Sequence, residues 1–106
     1  MATYYTIHCY QAYTGEDILD SYALYTTFEK ACDVIDECIR RHLESWNDKH
    51  PDEEDEFILP DRKEMFENFA GRNYLHYFET QSERTYVICK RQVVGENPKK
   101  YVYQYW

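Results

Sequence analysis

The sequence predicts an α+β domain in which an antiparallel sheet of about five strands carries one long and one short helix on one face. From Thr26 to Trp46, apolar residues recur at spacings of three and four, which is typical of an amphipathic helix. The flanking segments are rich in Tyr, Val, Ile and Thr and partly alternate in polarity, as strands do. Short turns join these segments, which favours antiparallel pairing.

The predicted elements follow one another in the order β-β-α-α-β-β-β. The strands are predicted at 3–13, 18–25, 74–80, 85–94 and 99–106, and the helices at 26–46 and 61–70. At 106 residues the chain is expected to form one domain, 1–106. It has no apolar run long enough to span a membrane and no secretory signal at its start, so we expect a cytoplasmic protein that does not bind membranes.

The long helix is predicted to supply most of the core. Its apolar stripe consists of Phe28, Ala31, Cys32, Ile35, Cys38, Ile39, His42, Leu43 and Trp46. Thr26 and Glu29 have the spacing of a capping box at the start of this helix. On the opposite side, Asp36–Arg40 and Glu37–Arg41 are acid-before-base pairs four residues apart, which we expect on the exposed surface.

The short helix is bounded by recognisable start and stop signals. Asp61 is predicted to cap its first turn together with Glu64, and Gly71 to end it. Its apolar side is predicted to consist of Met65, Phe66, Phe69 and Ala70. Before it, the apolar run 57–59 is expected to return the chain to the core.

The four cysteines, Cys9, Cys32, Cys38 and Cys89, have none of the close paired spacings of a zinc site. We therefore expect reduced, buried thiols, and neither a metal nor a cofactor. The sequence also lacks the motifs of nucleophilic, metal-dependent and phosphate-binding enzymes. The prediction is accordingly that the protein is not an enzyme, although a small enzyme without a recognisable motif is an alternative.

The net charge of −8 is concentrated in one part of the chain, since residues 44–67 alone contribute −7. Five consecutive acids at 52–56 lie between two prolines, which predicts an exposed acidic loop at 47–60. The acids predicted to bind a partner are Asp48, Asp52, Glu53, Glu54, Asp55, Glu56, Asp61 and Glu64. Such an array can imitate a phosphate backbone and attract a protein with a basic surface. The alternative is a loop that only aids solubility.

Twelve tyrosines, mostly on predicted strands, are a second candidate for binding. Tyrosine is enriched at interface hot spots, so Tyr101 and Tyr103 on the last strand are predicted to contact a partner. Alternatively, the tyrosines fill both faces of a paired sheet. The last strand is also predicted to lie at a sheet edge, where it could pair with a second copy to form a homodimer.

The basic residues of the C-terminal segment allow another interpretation. Lys90, Arg91, Lys99 and Lys100, with the neighbouring tyrosines, could bind single-stranded nucleic acid. The acidic total argues against this, because nonspecific binding depends on neutralising phosphates. A nucleic-acid-binding module therefore remains an alternative function.

The step Tyr22-Ala23-Leu24-Tyr25-Thr26-Thr27-Phe28-Glu29-Lys30-Ala31 resembles a Y-x-L-Y-x-T-x-E-K-A step of small bacterial and phage proteins. In size and acidity the chain also resembles phage-encoded inhibitors of bacterial defence systems. That resemblance implies an anti-defence protein that occludes the nucleic-acid site of its target, and it assigns no site residues. Together with the charge pattern, it leads us to expect a protein-binding inhibitor or regulator of a nucleic-acid-handling partner.

Overall fold

The computed structural model describes residues 2–11, 23–80 and 84–93. The strands are β1 (Ala2–Gln11), β2 (Tyr74–Glu79) and β3 (Arg84–Val93). The helices are α1 (Phe28–Lys49) and α2 (Arg62–Glu67), with a 3₁₀ turn at Pro51–Glu53 between them. The predicted α+β class is therefore confirmed. Neither described helix is both long and apolar enough to cross a lipid bilayer.

The strands form an antiparallel sheet in the order β1-β3-β2. The central strand is β3, which comes last in the sequence among the described strands. Ile7 of β1 and Leu75 of β2 both pair with Ile88 of β3. The described part of the sheet thus has three strands rather than about five. The strand predicted at 99–106 lies outside the described residues. Of the strand predicted at 18–25, the described part forms only an isolated bridge, in which Tyr25 and Tyr5 exchange two 2.8 Å backbone hydrogen bonds.

One face of the sheet forms the core with α1. Tyr5, Ile7 and Cys9 are buried on this face, as their alternation in the sequence predicts. The ring of Tyr5 lies 5.9 Å from Phe28 at the start of α1 and 6.4 Å from Phe69, which follows α2. The helical segments therefore pack on one side of the sheet, as predicted.

Part of the other face of the sheet is also buried. Tyr4, Thr6, His8 and Val87 expose between 3% and 8% of their surface. Thr6 Oγ1 lies 2.8 Å from His8 Nε2, and Arg91 Nε donates to the same hydroxyl at 3.3 Å. These polar side chains hydrogen-bond to one another, which offsets the free-energy cost of burying them.

Helix α1 differs from its prediction in its cap and in its buried face. It begins at Phe28, and Thr27, not Thr26, is the N-cap: its hydroxyl accepts from the Lys30 amide at 3.1 Å. Asp36 is buried, whereas Cys38 and His42 are only half-buried. The buried stripe is therefore rotated towards Asp36, and the predicted Asp36–Arg40 surface pair is wrong. The Glu37–Arg41 pair is confirmed at 3.1 Å.

Helix α2 is shorter than predicted. Asp61 caps it as expected, its carboxylate accepting from the amides of Lys63 and Glu64. The chain then turns through Gly71, whose φ of +82° is easily adopted only by glycine. Phe69 is buried, but Phe66 and Ala70 are exposed, so the predicted apolar side is only partly correct. The run 57–59 likewise returns only Phe57 to the core.

An irregularity in β2 turns two aromatic side chains towards the helices. The register with β3 shifts between His76 and Phe78, so Tyr77 is the extra residue of a β-bulge. The Phe78 ring packs edge-on against Phe57 at 4.9 Å, and the Tyr77 side chain is buried beneath α1. Two consecutive residues of β2 therefore contact the helical side: Tyr77 lies against α1, and Phe78 packs against Phe57 of the predicted acidic loop at 47–60.

Candidate functional site

The end of α1 determines where the acidic segment leaves the helix. The backbone amide of His50 caps α1 by donating to the Trp46 carbonyl at 2.9 Å. His50 Nδ1 lies 3.1 Å from that same oxygen, and a carbonyl only accepts, so Nδ1 carries the proton. The imidazole ring of His50 stacks on the indole ring of Trp46, with the ring centroids 3.8 Å apart. These contacts fix the chain direction before Pro51 opens the 3₁₀ turn.

The acidic segment is then tied back to the helix. The Asn47 side chain accepts from the Asp55 amide at 2.8 Å and donates to the Asp55 carbonyl at 3.0 Å. This two-way pairing resembles the hydrogen bonding between β-strands and joins two residues that lie eight positions apart. The predicted loop at 47–60 is therefore held against the end of α1 by hydrogen bonds.

The structure exposes one group of the predicted acids at and after the end of α1. Asp48 on the last turn of α1 and Asp52, Glu54 and Glu56 in the loop are exposed, and we call these four the acidic surface. Asp48 and Glu54 line one shallow groove with residues of α1, among them Glu44 and Arg41. Asp55 is half-buried, and its backbone amide and carbonyl both pair with the Asn47 side chain. For Glu53, the structure describes the backbone of the 3₁₀ turn.

The remaining predicted residues lie elsewhere. Asp61 is occupied as the cap of α2, next to Glu64. Arg62 fixes this end of α2 to the first turns of α1, about 20 Å from Asp48 along a helix that rises 1.5 Å per residue. Asp61 and Glu64 therefore do not join the acidic surface. Tyr101 and Tyr103 lie outside the described residues.

The described tyrosines serve mainly as core residues. Tyr4, Tyr5, Tyr25, Tyr77 and Tyr86 are buried. Tyr10 and Tyr74 are exposed by 37% and 46%. For the described tyrosines, the interpretation as sheet packing thus explains more positions than the interpretation as a binding surface.

The described basic residues of the C-terminal segment do not form one patch. Lys90 and Arg91 are consecutive on β3 and therefore lie on opposite faces of the sheet. The Lys90 ammonium sits 4.4 Å from the centre of the Phe69 ring on the helix side. Arg91 instead donates to Thr6 on the other face.

A buried polar group joins α1, α2 and β2, and the sequence patterns did not predict it. The Asp36 carboxylate accepts from the Tyr77 hydroxyl at 2.6 Å and from Arg62 at 3.0 Å. Arg62 also pairs with Glu29 and, at 2.8 Å, with Asp33. One signal was present: Asp36 lies four residues after Cys32 and three before Ile39, within reach of the buried stripe.

This group perturbs the titration of its members. Burial raises the pKa of Tyr77, and the neighbouring Asp36 carboxylate raises it further. Burial alone would lower the pKa of Arg62, but its hydrogen bonds to carboxylates outweigh this and raise it. Burial also raises the pKa of the Cys32 thiol to about 12. All three groups stay in their ordinary protonation states at neutral pH, which suits a structural role.

The four cysteines are free thiols, as predicted, but only Cys9 and Cys32 are fully buried. In the ranges 2–11, 23–80 and 84–93, no three His, Cys, Asp or Glu side chains are placed to hold a metal ion. The carboxylates of α1 that do converge are held by Arg62.

His42 lies on the half-buried edge of α1, near the acidic loop. Burial lowers the pKa of His42, the positive charge of Arg84 lowers it further, and Asp55 opposes both. His42 is therefore neutral at physiological pH.

Comparison with family models, with curated proteins and with solved structures gave no match.

Proposed function

We propose that this protein is a non-enzymatic binding module whose acidic surface docks onto a basic surface of another protein and inhibits or regulates it. The observation that carries the proposal is the two-way pairing of Asn47 with Asp55. A loop that served only solubility would not need to be held in one conformation. Here the pairing presents Asp48, Asp52 and Glu54 in fixed relative positions, which lowers the entropy lost on binding.

The position of the acids on α1 supports the same proposal. Asp48 lies in the last turn of α1, and Asp52 and Glu54 follow its end. The carboxyl end of a helix carries a partial negative charge, which favours basic residues there and disfavours acidic ones by up to about 1 kcal/mol each. The charges of these carboxylates therefore do not stabilise this end of the helix. A basic partner would compensate for both the side chains and the helix end.

The proposed partner is a nucleic-acid-handling protein. Such proteins present grooves lined by Lys and Arg to the phosphate backbone, and a fixed row of carboxylates is complementary to such a groove. The resemblance to phage-encoded inhibitors of bacterial defence is consistent with this choice. Tyr101 and Tyr103, which the sequence predicts to contact a partner, belong to the proposal as extensions of this surface.

Binding of nucleic acid by the chain itself is the competing function. Lys90 and Arg91 lie on opposite faces of the sheet, so they do not form a continuous basic strip on β3. Fluorescence anisotropy with labelled single-stranded DNA and RNA at low salt measures it directly. Binding tighter than roughly 100 µM, the weak end of nonspecific affinities, would favour this alternative over the proposal.

The test of the proposal begins with affinity capture from a lysate of the source cells, followed by identification and purification of the captured protein. Its affinity is then measured for the wild type, for the triple variant D48N/D52N/E54Q and for the control E64Q/E67Q/E79Q. Both variants remove three exposed negative charges, but the control leaves the acidic surface intact.

We expect the first variant to weaken binding by about 10- to 100-fold and to reduce its salt dependence, because exposed interfacial charges act through screened long-range fields. The control should stay within about threefold of the wild type. Equal affinities of the wild type and D48N/D52N/E54Q would refute docking through the acidic surface. A captured protein with no nucleic-acid-binding activity would refute the choice of partner.

A further inference from the structure

The segment that follows the acidic run exposes two aliphatic side chains. Ile58 and Leu59 are 73% and 56% exposed, the highest exposures among the large apolar residues that the structure describes. They lie in the stretch 54–60, which has no helix or strand. Single exposed apolar residues are common, but an adjacent pair beside a charged surface is typical of interaction sites.

Ile58 follows the exposed acids in an alternating pattern of exposure. Glu54 has the extended backbone angles φ −56° and ψ 134°. From there, exposure alternates: Glu54, Glu56 and Ile58 are exposed, whereas Asp55 and Phe57 are half-buried. The exposed positions of the segment thus run acid, acid, aliphatic, and Leu59 follows as a second exposed aliphatic residue.

Three contacts, used here as anchors, hold the segment 54–60 in place. Asp55 is paired with Asn47 through its backbone, the Phe57 ring packs on Phe78 at 4.9 Å, and Asp61 caps α2. Ile58 and Leu59 lie between the second and third anchors. They are held out in solvent by a fixed backbone, and their side chains contribute little to the core.

We infer that Ile58 and Leu59 are the apolar anchor of the proposed interface, and that its occupant is a protein surface with an apolar pocket rimmed by Lys or Arg. This inference rests on the proposed function and adds the second chemical requirement of the partner. Charge complementarity with Glu54 and Glu56 selects a cationic rim, and the aliphatic pair selects a pocket that takes apolar side chains out of water. A bare phosphate-binding groove would satisfy only the first requirement.

Two synthetic peptides of equal positive charge serve as probes. One is an oligolysine, and the other is a leucine–lysine peptide that forms an amphipathic helix. Their affinities are measured by fluorescence anisotropy at about 50 mM and about 300 mM salt, since only the charged contribution is screened. The proteins are the wild type, I58S/L59S, D48N/D52N/E54Q and the control Y74S. Tyr74 is 46% exposed and lies on β2, so Y74S removes an exposed apolar side chain away from the segment.

The wild type should bind the leucine–lysine peptide about 10- to 100-fold more tightly than oligolysine, the factor expected for taking one or two aliphatic side chains out of water. I58S/L59S should lose this preference but keep its affinity for oligolysine. Y74S should keep both. Circular dichroism and thermal unfolding should show I58S/L59S folded, because both side chains are exposed.

A wild type without preference, or a preference that survives in I58S/L59S, would overturn the inference. A preference lost equally in Y74S would also overturn it, because the apolar contribution would then be diffuse. If D48N/D52N/E54Q bound both peptides as the wild type does, the proposed function itself would fail. The two failures are therefore distinguishable.

Discussion

Replacing Arg62 by methionine tests whether the polar group around Asp36 holds α1, α2 and β2 together. Methionine keeps most of the apolar stem and removes the guanidinium. The Asp36 side chain is 4% exposed, so it would remain as a buried carboxylate with the Tyr77 hydroxyl as its remaining partner in this group. Removing one partner of a fully buried ion pair costs about 3–5 kcal/mol.

The expected cost for this site is smaller. The Arg62 side chain is 29% exposed, so water can partly replace it after the substitution. The other two carboxylates that it contacts, Glu29 and Asp33, are 68% and 65% exposed and contribute little. We expect R62M to lower the free energy of unfolding by about 2–3 kcal/mol.

The matched control is R41M on the same helix. Arg41 and Glu37 form an exposed pair, with side chains 77% and 52% accessible. Such a pair contributes about 0.3–0.5 kcal/mol. In urea unfolding, an m-value of about 1–1.5 kcal/mol/M puts the midpoint of R62M roughly 2 M below that of the wild type and the midpoint of R41M within about 0.5 M of it.

The decisive measurement repeats R62M in a D36N background. Asparagine leaves no buried charge, so R62M should then cost no more than about 1 kcal/mol. If R62M were as mild as R41M, or if its cost were unchanged by D36N, the Asp36–Arg62 contact would not be what stabilises the junction.

Three further predictions concern single residues. T27A should lower the free energy of unfolding by about 1 kcal/mol in urea titrations, because Thr27 caps α1; T26A should not, and equal effects would contradict the assignment. Burial and then Arg84 lower the pKa of His42 in the folded protein below its value in the unfolded chain. Neutral His42 therefore contributes to the free energy of unfolding above about pH 6.5, and this contribution is lost as the pH falls through the folded pKa. Between about pH 8 and about pH 5.5, the wild type should therefore lose more stability than H42Q; parallel curves would refute this. Burial raises the pKa of Cys32 to about 12, so iodoacetamide near pH 8 should modify it only after unfolding in guanidinium, as read by peptide mass spectrometry; modification of the folded protein would contradict the burial.

Local patterns predicted most of the described elements because each reports a backbone period. Alternation located β1 and β3 to within about two residues, and the three-and-four spacing located α1. The sheet order β1-β3-β2 could not be predicted, since it depends on contacts between segments far apart in sequence. The helix cap was misplaced by one residue because Thr26 and Thr27 have the same side chain.

Asp36 shows why the polar group escaped prediction. A carboxylate four residues before Arg40 satisfies the surface-pair pattern, and only its spacing from Cys32 and Ile39 distinguishes it locally from Glu37. Its real partners, Arg62 and Tyr77, are 26 and 41 residues away. Tyr77 also lies at a β-bulge of β2, a feature that depends on pairing with β3.

The placement of acids along α1 separates the acids that the fold uses from those that we propose for binding. Near its start, Asp36 is used by the fold, and Asp61 caps the neighbouring α2. At its end, about 20 Å away, Asp48 and Asp52 stay exposed at a helix terminus that disfavours negative charge. Removing charge there should relieve repulsion rather than break a contact. A loss of binding in an acidic-surface variant can therefore be attributed to the interface, because the same substitutions are expected to leave the fold as stable or more stable.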